Sequence, residues 1–501
     1  MRLSQLAAEV PGSAVLNGGE FEVRRVVQDS RLTRAGDLFV AISGLRVDGH
    51  DFAAVAAAMG AAVAVERPVQ LPAGSPVIQL TDTRWGLGEL AAALYGRPAR
   101  RLTVIGITGT AGKSTSTHMA AHVLESAGLP AGYLSTVANK AVGAASENGS
   151  GQTTMESPEV QAWLARMADE GAAMAVIEAS SHALVQGRVA ACEFDLAAFT
   201  NVGRDHLEYH GGQEAYLRAK ARLIELCATA ADKGLPKTAV LNRDDRSYDA
   251  LAAIPVTRRV TYAIDREAEV RALDVTPLSG GTAFQLATAQ GSAPVRLRLP
   301  ARFNVSNALC AAACCLTLGL TLDQIAQGLA TFKGVRGRLE PVDLGQPFEV
   351  YVDFAHSAVG LAGVLAELRQ ATTGRLLAVF GASPRSGGHD PAGMGRAAAR
   401  DADFFVITTD DPVGVDPADL ARQVESGIEG RSAGEGYEVV LDRRAAIRLA
   451  LERAEPGDVV VLAGKGHERT LILAEGPVPW DERAEAEQAL RELSARSPRR
   501  A

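Results

Sequence analysis

The chain of 501 residues is 47% apolar and 22% charged, with a formal net charge of −8. That length predicts roughly two to four domains, each able to bury its own core, and excludes a small disulfide-stapled scaffold. The acidic balance carries no electrostatic footprint for DNA or RNA, so nucleic acid is not an expected partner.

Residues 1–98 read as a small α/β domain, with short strands at 38–41 and 61–65 separated by an alanine-rich helix at about 52–59. Asp29-Ser30-Arg31 and Gly44 to His50 hold turn-forming residues that could hydrogen-bond a polar ligand or simply be solvated. Residues 99–335 alternate strand and helix, which predicts a mainly parallel, P-loop ATPase-like sheet covered by helices. Within it an apolar strand at 102–107 runs into Gly106-Ile107-Thr108-Gly109-Thr110-Ala111-Gly112-Lys113-Ser114-Thr115. Such a strand-to-helix turn binds phosphates: orphan N–H groups and the helix dipole face the anion, lysine adds a point charge and Ser114 can ligate Mg²⁺. The strict motif asks for a glycine where Ile107 stands; the nearest earlier ones are Gly106 and Gly109.

Farther along, a buried strand at 172–177 places Glu178 at its carboxyl end, where ligands collect in parallel sheets. The apolar segment 194–199 ends in Thr200-Asn201, and a helix at 213–227 carries Lys220 in its middle. By spacing alone Lys220 reads as a solvated helix lysine and His206 as a packed loop histidine. From 336 to 501 the pattern restarts with strands at 349–352, 376–380, 404–407, 438–441 and 459–462, a Rossmann-like open sheet without GxGxxG. The basic tail from 494 is expected to fray. The odd set Cys192, Cys227, Cys310, Cys314 and Cys315 has no CxxC spacing, which predicts reduced, buried thiols and a cytoplasmic location. The N-terminus lacks an apolar h-region, and the apolar stretch 308–322 is short and interrupted, so neither secretion nor membrane insertion is expected.

Nine segments in order carry a resemblance: Asp29-Ser30-Arg31, Thr108 to Thr115, Thr153-Thr154-Met155-Glu156-Ser157-Pro158, Glu178-Ala179-Ser180-Ser181-His182, Asp205 to Gly211, Asn304-Val305-Ser306-Asn307-Ala308, Gly337-Arg338-Leu339-Glu340, Asp353-Phe354-Ala355-His356 and Gly464-Lys465-Gly466-His467-Glu468. Together they resemble the Mur ligase family of ATP-dependent amino-acid-adding enzymes over nearly the whole chain. Within it they are similar to the ligases that add the third peptide residue to UDP-N-acetylmuramoyl-L-alanyl-D-glutamate in peptidoglycan precursor synthesis.

The resemblance implies an N-terminal UDP-binding, a central ATP-binding and a C-terminal amino-acid-binding domain, and expects a monomer. It implies that the D-glutamate carboxylate attacks the γ-phosphate of ATP, and that an amine then displaces phosphate from the acyl phosphate. Like charges meet in that attack, so positive charge must stand between them. Lys113 and two Mg²⁺ ions would supply it. Ser114 matches a ligand of the first ion; Glu178, His206 and a carbamylated Lys220 match the second. Carbamylation turns a repelling ammonium into an anionic oxygen donor and needs a neutral amine, which burial favours. For ATP the matches are Gly109, Thr110, Ala111, Gly112, Lys113, Ser114, Thr115, Asn304, Asn307, Arg338, Asp353 and His356. For the UDP-sugar dipeptide they are Gln28, Ser30, Leu45, Arg46, Val47, Thr153, Thr154, Ser181, Gln186 and Arg188. For the amino acid they are Arg385, Asp410, Asp411, Gly464 and Glu468.

Three positions depart from the family. Members that add meso-diaminopimelate carry Asp-Asn-Pro-Arg, the arginine clamping the distal carboxylate; here stands Asp410-Asp411-Pro412-Val413. Valine donates no hydrogen bond and the two aspartates offer negative charge, so L-lysine or L-ornithine is the expected added residue. The loop after Phe380 reads Gly381-Ala382-Ser383-Pro384-Arg385, one residue out of register for the arginine expected to hold the α-carboxylate. Ala111 replaces a common asparagine, with little effect expected because the cradle is mostly backbone. The competing readings are a D-alanyl-D-alanine-adding or folylpolyglutamate-type ligase, a switch ATPase, and a kinase.

Overall fold

Near-continuous apolar runs make strands buried on both faces, the signature of parallel sheets covered by helices. The computed structural model describes residues 1–44, 47–384 and 389–496. The chain forms two compact units: 1–203, 210–269 and 310–321 make the first; 204–209, 270–309 and 322 onward make the second.

In the first unit, β1 (Ala14–Asn17), β2 (Arg25–Val27), β3 (Asp37–Val40), β4 (Ala62–Val65) and β5 (Val77–Gln79) form a sheet in the order β1-β5-β4-β3-β2, parallel except for β1. Leu38, Val40 and Ile78 pack with Leu3, Leu6 and Leu90 on one face; Phe39, Val63 and Val65 pack with Ala53 on the other. The helix expected at 52–59 is a 3-10 turn, Gly49–Phe52, followed by Ala53–Ala58, because the Asp48 side chain accepts from His50 N and starts the turn early.

The same unit contains β6 (Thr103–Thr108), β7 (Ala131–Leu134), β8 (Ala138–Lys140), β9 (Ser146–Glu147), β10 (Met174–Glu178), β11 (Leu196–Phe199), β12 (Thr238–Asn242) and β13 (Arg258–Ala263). Their order is β13-β12-β11-β6-β10-β7-β8-β9, parallel from β13 to β7 and antiparallel beyond. β6, earliest in the chain, lies between β11 and β10, a switch point that opens a crevice at the carboxyl ends of these strands.

In the second unit, β14 (Val270–Leu278), β15 (Gly281–Thr288) and β16 (Gly291–Leu297) form an antiparallel meander where the sequence predicts only strand–helix alternation. Its signal is a period of two: Ala293, Val295 and Leu297 are buried while Ser292, Pro294 and Arg296 are exposed, a one-sided strand without a continuous apolar run. A second sheet follows, with β17 (Glu340–Pro341), β18 (Glu349–Asp353), β19 (Leu376–Phe380), β20 (Phe404–Ile407), β21 (Tyr437–Val439) and β22 (Val459–Ala463) in the order β17-β18-β22-β19-β20-β21, parallel except for β17. Apolar cores cover both its faces. Among the described residues no helix is long and apolar enough to cross a membrane, and all five cysteines are free and buried.

Candidate active site

The glycine-rich loop leaves β6 at Thr108 and enters the helix Lys113–Ser126, with Gly112 at φ 83 as N-cap. That left-handed backbone favours glycine. Gly109 is required by contact: a Cβ there would lie 1.9 Å from Thr200 Oγ1. Gly106 serves packing instead, since its Cβ would meet Leu223 and Phe194 at 2.7 and 2.8 Å. The loop is thus the four residues 109–112, and the irregular glycine spacing reflects a strand glycine beside a short loop.

Lys113 Nζ donates to Gly109 O at 3.1 Å and Thr110 O at 3.0 Å. Lys220 is 1% exposed; its Nζ donates to Gly109 O at 2.6 Å and lies 4.5 Å from the centre of the Tyr216 ring. At the end of β10 the buried Glu178 carboxylate accepts from Ser114 Oγ (3.1 Å), Thr136 N (2.8 Å) and Thr136 Oγ1 (3.0 Å). Its carbonyl accepts from Thr154 Oγ1 at 2.7 Å. Ser181 Oγ is 3.0 Å from His210 Nε2. Arg188 donates to Thr154 O at 3.1 Å and Gln186 Oε1 at 2.7 Å, and its Nε lies 3.1 Å from Glu156 Oε1. The guanidinium expected to hold an anion is therefore already paired with Glu156. Just past β2, Gln28 Oε1 is buried without a hydrogen-bond partner. Ser30 opens a 3-10 turn capped by Asp29, and Val47 is exposed.

His206 belongs to the other unit, in left-handed backbone at φ 50. Among the described residues no group of three His, Cys, Asp or Glu side chains is placed to hold a metal. The expected ligand set has only two such side chains and relies on a hydroxyl and a modified lysine for the rest. Leu45, Arg46 and Arg385 lie outside the described residues.

In the second unit the carboxyl ends of β18, β22, β19 and β20 line one sheet edge. Asp353, at the end of β18, accepts from Leu339 N and Ala355 N, both at 2.8 Å; burial pushes its carboxyl up, opposed by Arg338. The Arg338 guanidinium lies 4.8 Å from the Phe354 ring centre and its Nε has no hydrogen-bond partner. His356 and His467 pack on the same ring at 4.4 and 4.7 Å. Burial, reinforced by Arg338 and Arg336, pushes His467 down to about 3, so it is neutral. Asn304 Nδ2 donates to Pro300 O, and Asn307 Nδ2 to Asn304 Oδ1.

Beyond β20, Asp411 and Val413 adopt positive φ of 38 and 42. The aspartate pair meets a cation that the sequence reading left without a role: Lys465, fully buried, lies 2.9 Å from Asp411 Oδ1, 2.5 Å from Glu468 Oε2 and 3.9 Å from Asp410 Oδ1. Burial pulls Lys465 down, but Asp410 and Glu468 outweigh it and hold the ammonium above the ordinary lysine range. Asp410 Oδ2 is buried without a hydrogen-bond partner, close under Gly464, where a Cβ would come within 2.4 Å. Burial raises Asp410 to about 6, against the pull of Arg443 and Lys465. Part of the acidic charge expected for an incoming ammonium is therefore already neutralised, and Asp410 Oδ2 is the oxygen left over.

A glycine-bearing strand-to-helix loop at a switch point, and a second strand edge lined with buried charge, are features shared by nucleotide-using α/β enzymes. Family models match three stretches: the Mur ligase family catalytic domain at residues 22–95, the Mur ligase middle domain at 107–315 and the Mur ligase glutamate ligase domain at 337–466. A UDP-N-acetylmuramoyl-L-alanyl-D-glutamate–2,6-diaminopimelate ligase of Geobacillus thermodenitrificans is 40% identical over 497 residues, spanning 98% of this chain and 100% of that protein. A UDP-N-acetylmuramyl-tripeptide synthetase of a Roseiflexus species is 41% identical over 508 residues, spanning 98% and 99%. A solved structure of a UDP-N-acetylmuramoyl-L-alanyl-D-glutamate–2,6-diaminopimelate ligase superposes with a TM-score of 0.71 at 28% identity, covering 99% of each chain. The chain belongs to the Mur ligase family, and so to the ATP-dependent amide ligases.

Proposed function

We propose that the chain joins a diamino acid to UDP-N-acetylmuramoyl-L-alanyl-D-glutamate through an acyl phosphate, and that the added residue is L-lysine or L-ornithine. Residues 1–98 hold the uridine end, 99–335 the ATP and 336–501 the amino acid; the three family-model stretches support this division. Lys113 and the helix N-terminus hold the ATP phosphates, and Thr154, Ser181 and Arg188 the muramoyl dipeptide. Ser114 and Glu178 bring two buried oxygens within 3.1 Å of each other, donors that suit Mg²⁺. These residues, with a carbamylated Lys220 of the same unit, would hold the ions, which supply positive charge between carboxylate and phosphate. A carbamate keeps one N–H on Nζ, so the bond from Lys220 to Gly109 O is compatible with that modification. Lys220→Ala is expected to lose most ligation and to regain part of it with an added short carboxylate; full activity without it would make Lys220 a packing residue.

The amino-acid preference rests on Val413. By the resemblance it stands in place of the arginine that clamps a distal carboxylate, and Asp410 Oδ2, buried without a hydrogen-bond partner, offers an oxygen that suits a cation. The Geobacillus relative is named for 2,6-diaminopimelate and the Roseiflexus relative for no amino acid; the departure at residue 413 is what supports the different preference proposed for this chain. In a panel of L-lysine, L-ornithine and meso-diaminopimelate, kcat/KM for the better of the first two is expected to exceed that for the third by about 100-fold, the penalty of leaving a carboxylate without its donor and beside two aspartates. Efficient use of meso-diaminopimelate by the unmodified chain overturns the preference.

A further inference from the structure

The loop 109–112 is held from outside. Asn201 O accepts from Thr110 N at 2.8 Å. The Asn201 side chain grips the Ala111 peptide by both ends, Oδ1 accepting from Ala111 N at 3.0 Å and Nδ2 donating to Ala111 O at 3.1 Å. Only one orientation of the amide satisfies both. Thr200 Oγ1 donates to the same carbonyl at 2.6 Å and fills the space that Gly109 leaves by lacking a Cβ. Gly203 N donates to Thr110 Oγ1 at 2.9 Å. Behind this clamp, Asn242 Nδ2 at the end of β12 and Tyr262 Oη on β13 donate to Thr200 O at 2.9 and 3.3 Å, and Tyr262 Oη also to Phe199 O at 2.8 Å. Thr200 and Tyr262 are buried, whereas Asn201 is half-exposed.

We propose that Thr200 and Asn201 are positioning residues for the nucleotide: they set the shape of Gly109–Gly112 and thereby aim Lys113 and Ser114 at the phosphates. The proposal rests on the reading of this loop as the ATP site. It also accounts for Ala111, because what Asn201 grips at that position is backbone, which any side chain supplies. The amides of Thr110 and Ala111, expected from the sequence to face ATP, are turned onto Asn201 instead.

The test uses the full-length enzyme, with direct ATP titration and steady-state kinetics for Thr200→Val, Thr200→Ser, Asn201→Ala and Lys113→Ala. Thr200→Val and Asn201→Ala each remove bonds to the Ala111 peptide, so Kd and KM for ATP are expected to rise about tenfold or more, with KM for the amino acid unchanged. Thr200→Ser keeps the hydroxyl and recovers most of the loss. Asn201→Ala, at a half-exposed position, keeps the test open if Thr200→Val fails to fold. The proposal is overturned if Lys113→Ala loses ATP while Thr200→Val and Asn201→Ala bind it like the parent. It is equally overturned if these two raise every KM together as their melting temperatures drop, the mark of a merely structural role. If Lys113→Ala itself binds ATP like the parent, the reading of the loop falls first and the proposal with it.

Discussion

Glu178→Gln is expected to lower ATP-dependent ligation at least ~100-fold, the scale seen when one preorganised charge-stabilising group is lost, while the chain stays folded. The carboxylate is 2% exposed and sits at the carboxyl end of the strand beside β6, receiving Ser114 Oγ on one oxygen and Thr136 N on the other. Glutamine keeps one acceptor for the two hydroxyls but turns an NH₂ toward the Thr136 amide. That clash is worth about 1–2 kcal/mol of stability, a modest melting shift. If Glu178 holds an ion as proposed, the remaining loss is the charge itself, since a neutral amide is a weak partner for a hard divalent cation. Phosphate release requiring ATP, UDP-sugar dipeptide and amino acid together, measured beside a melting curve, separates the two effects. A glutamine variant with more than about a third of parental activity would assign Glu178 to holding Ser114 and Thr136 in place and nothing more.

The parts of this site that were legible in sequence are those whose chemistry is local. Parallel strands covered on both faces read as apolar runs, so β6, β10 and β19 were found within a residue or two, and with them the residues at their carboxyl ends, Glu178 above all. Lys220 was misread as solvated when spacing alone was used, yet the pattern held the answer: Tyr216, Lys220, Leu223 and Cys227 follow at helical intervals on the buried face of one helix. A lysine in that stripe is buried, and a buried lysine has a partner. Other features depend on contacts between segments far apart in sequence. The pairing of Asn201 with Ala111 spans ninety positions, and that of Lys465 with Asp411 spans 54. The left-handed backbone at Asp411 and Val413 belongs to the turn after β20, and nothing in the residue types there asks for it. The β14–β16 meander had a local signal, alternation, hidden by its low apolar content.

The largest stability effect is expected at a pair that performs no chemistry. Arg443 opens the helix Arg443–Arg453 and forks onto Glu482 at 2.6 and 2.9 Å, with both side chains fully buried. Trp480 Nε1 donates to the same carboxylate at 2.6 Å. The remaining guanidinium donors reach Thr409 O at 3.3 Å and Ala463 O at 2.8 Å, the residues just before Asp410 and Gly464. Arg443→Met strands a buried carboxylate and two carbonyls, so urea unfolding of the second unit should show a loss of about 3–5 kcal/mol. Adding Glu482→Leu removes the stranded charge and should return part of that stability, because two desolvated ions are replaced by apolar volume. Function should not return with it. Arg443 is also the larger of the two charges that hold Asp410 down against burial; without it the carboxyl rises above about 6, and its anion is lost at a higher pH. Both variants should therefore show the amino-acid KM climbing, as pH falls, from a higher starting pH than in the parent, with KM for ATP unmoved. A double variant that recovers stability and the parental pH profile together would show that Arg443 supports the sheet edge without tuning it.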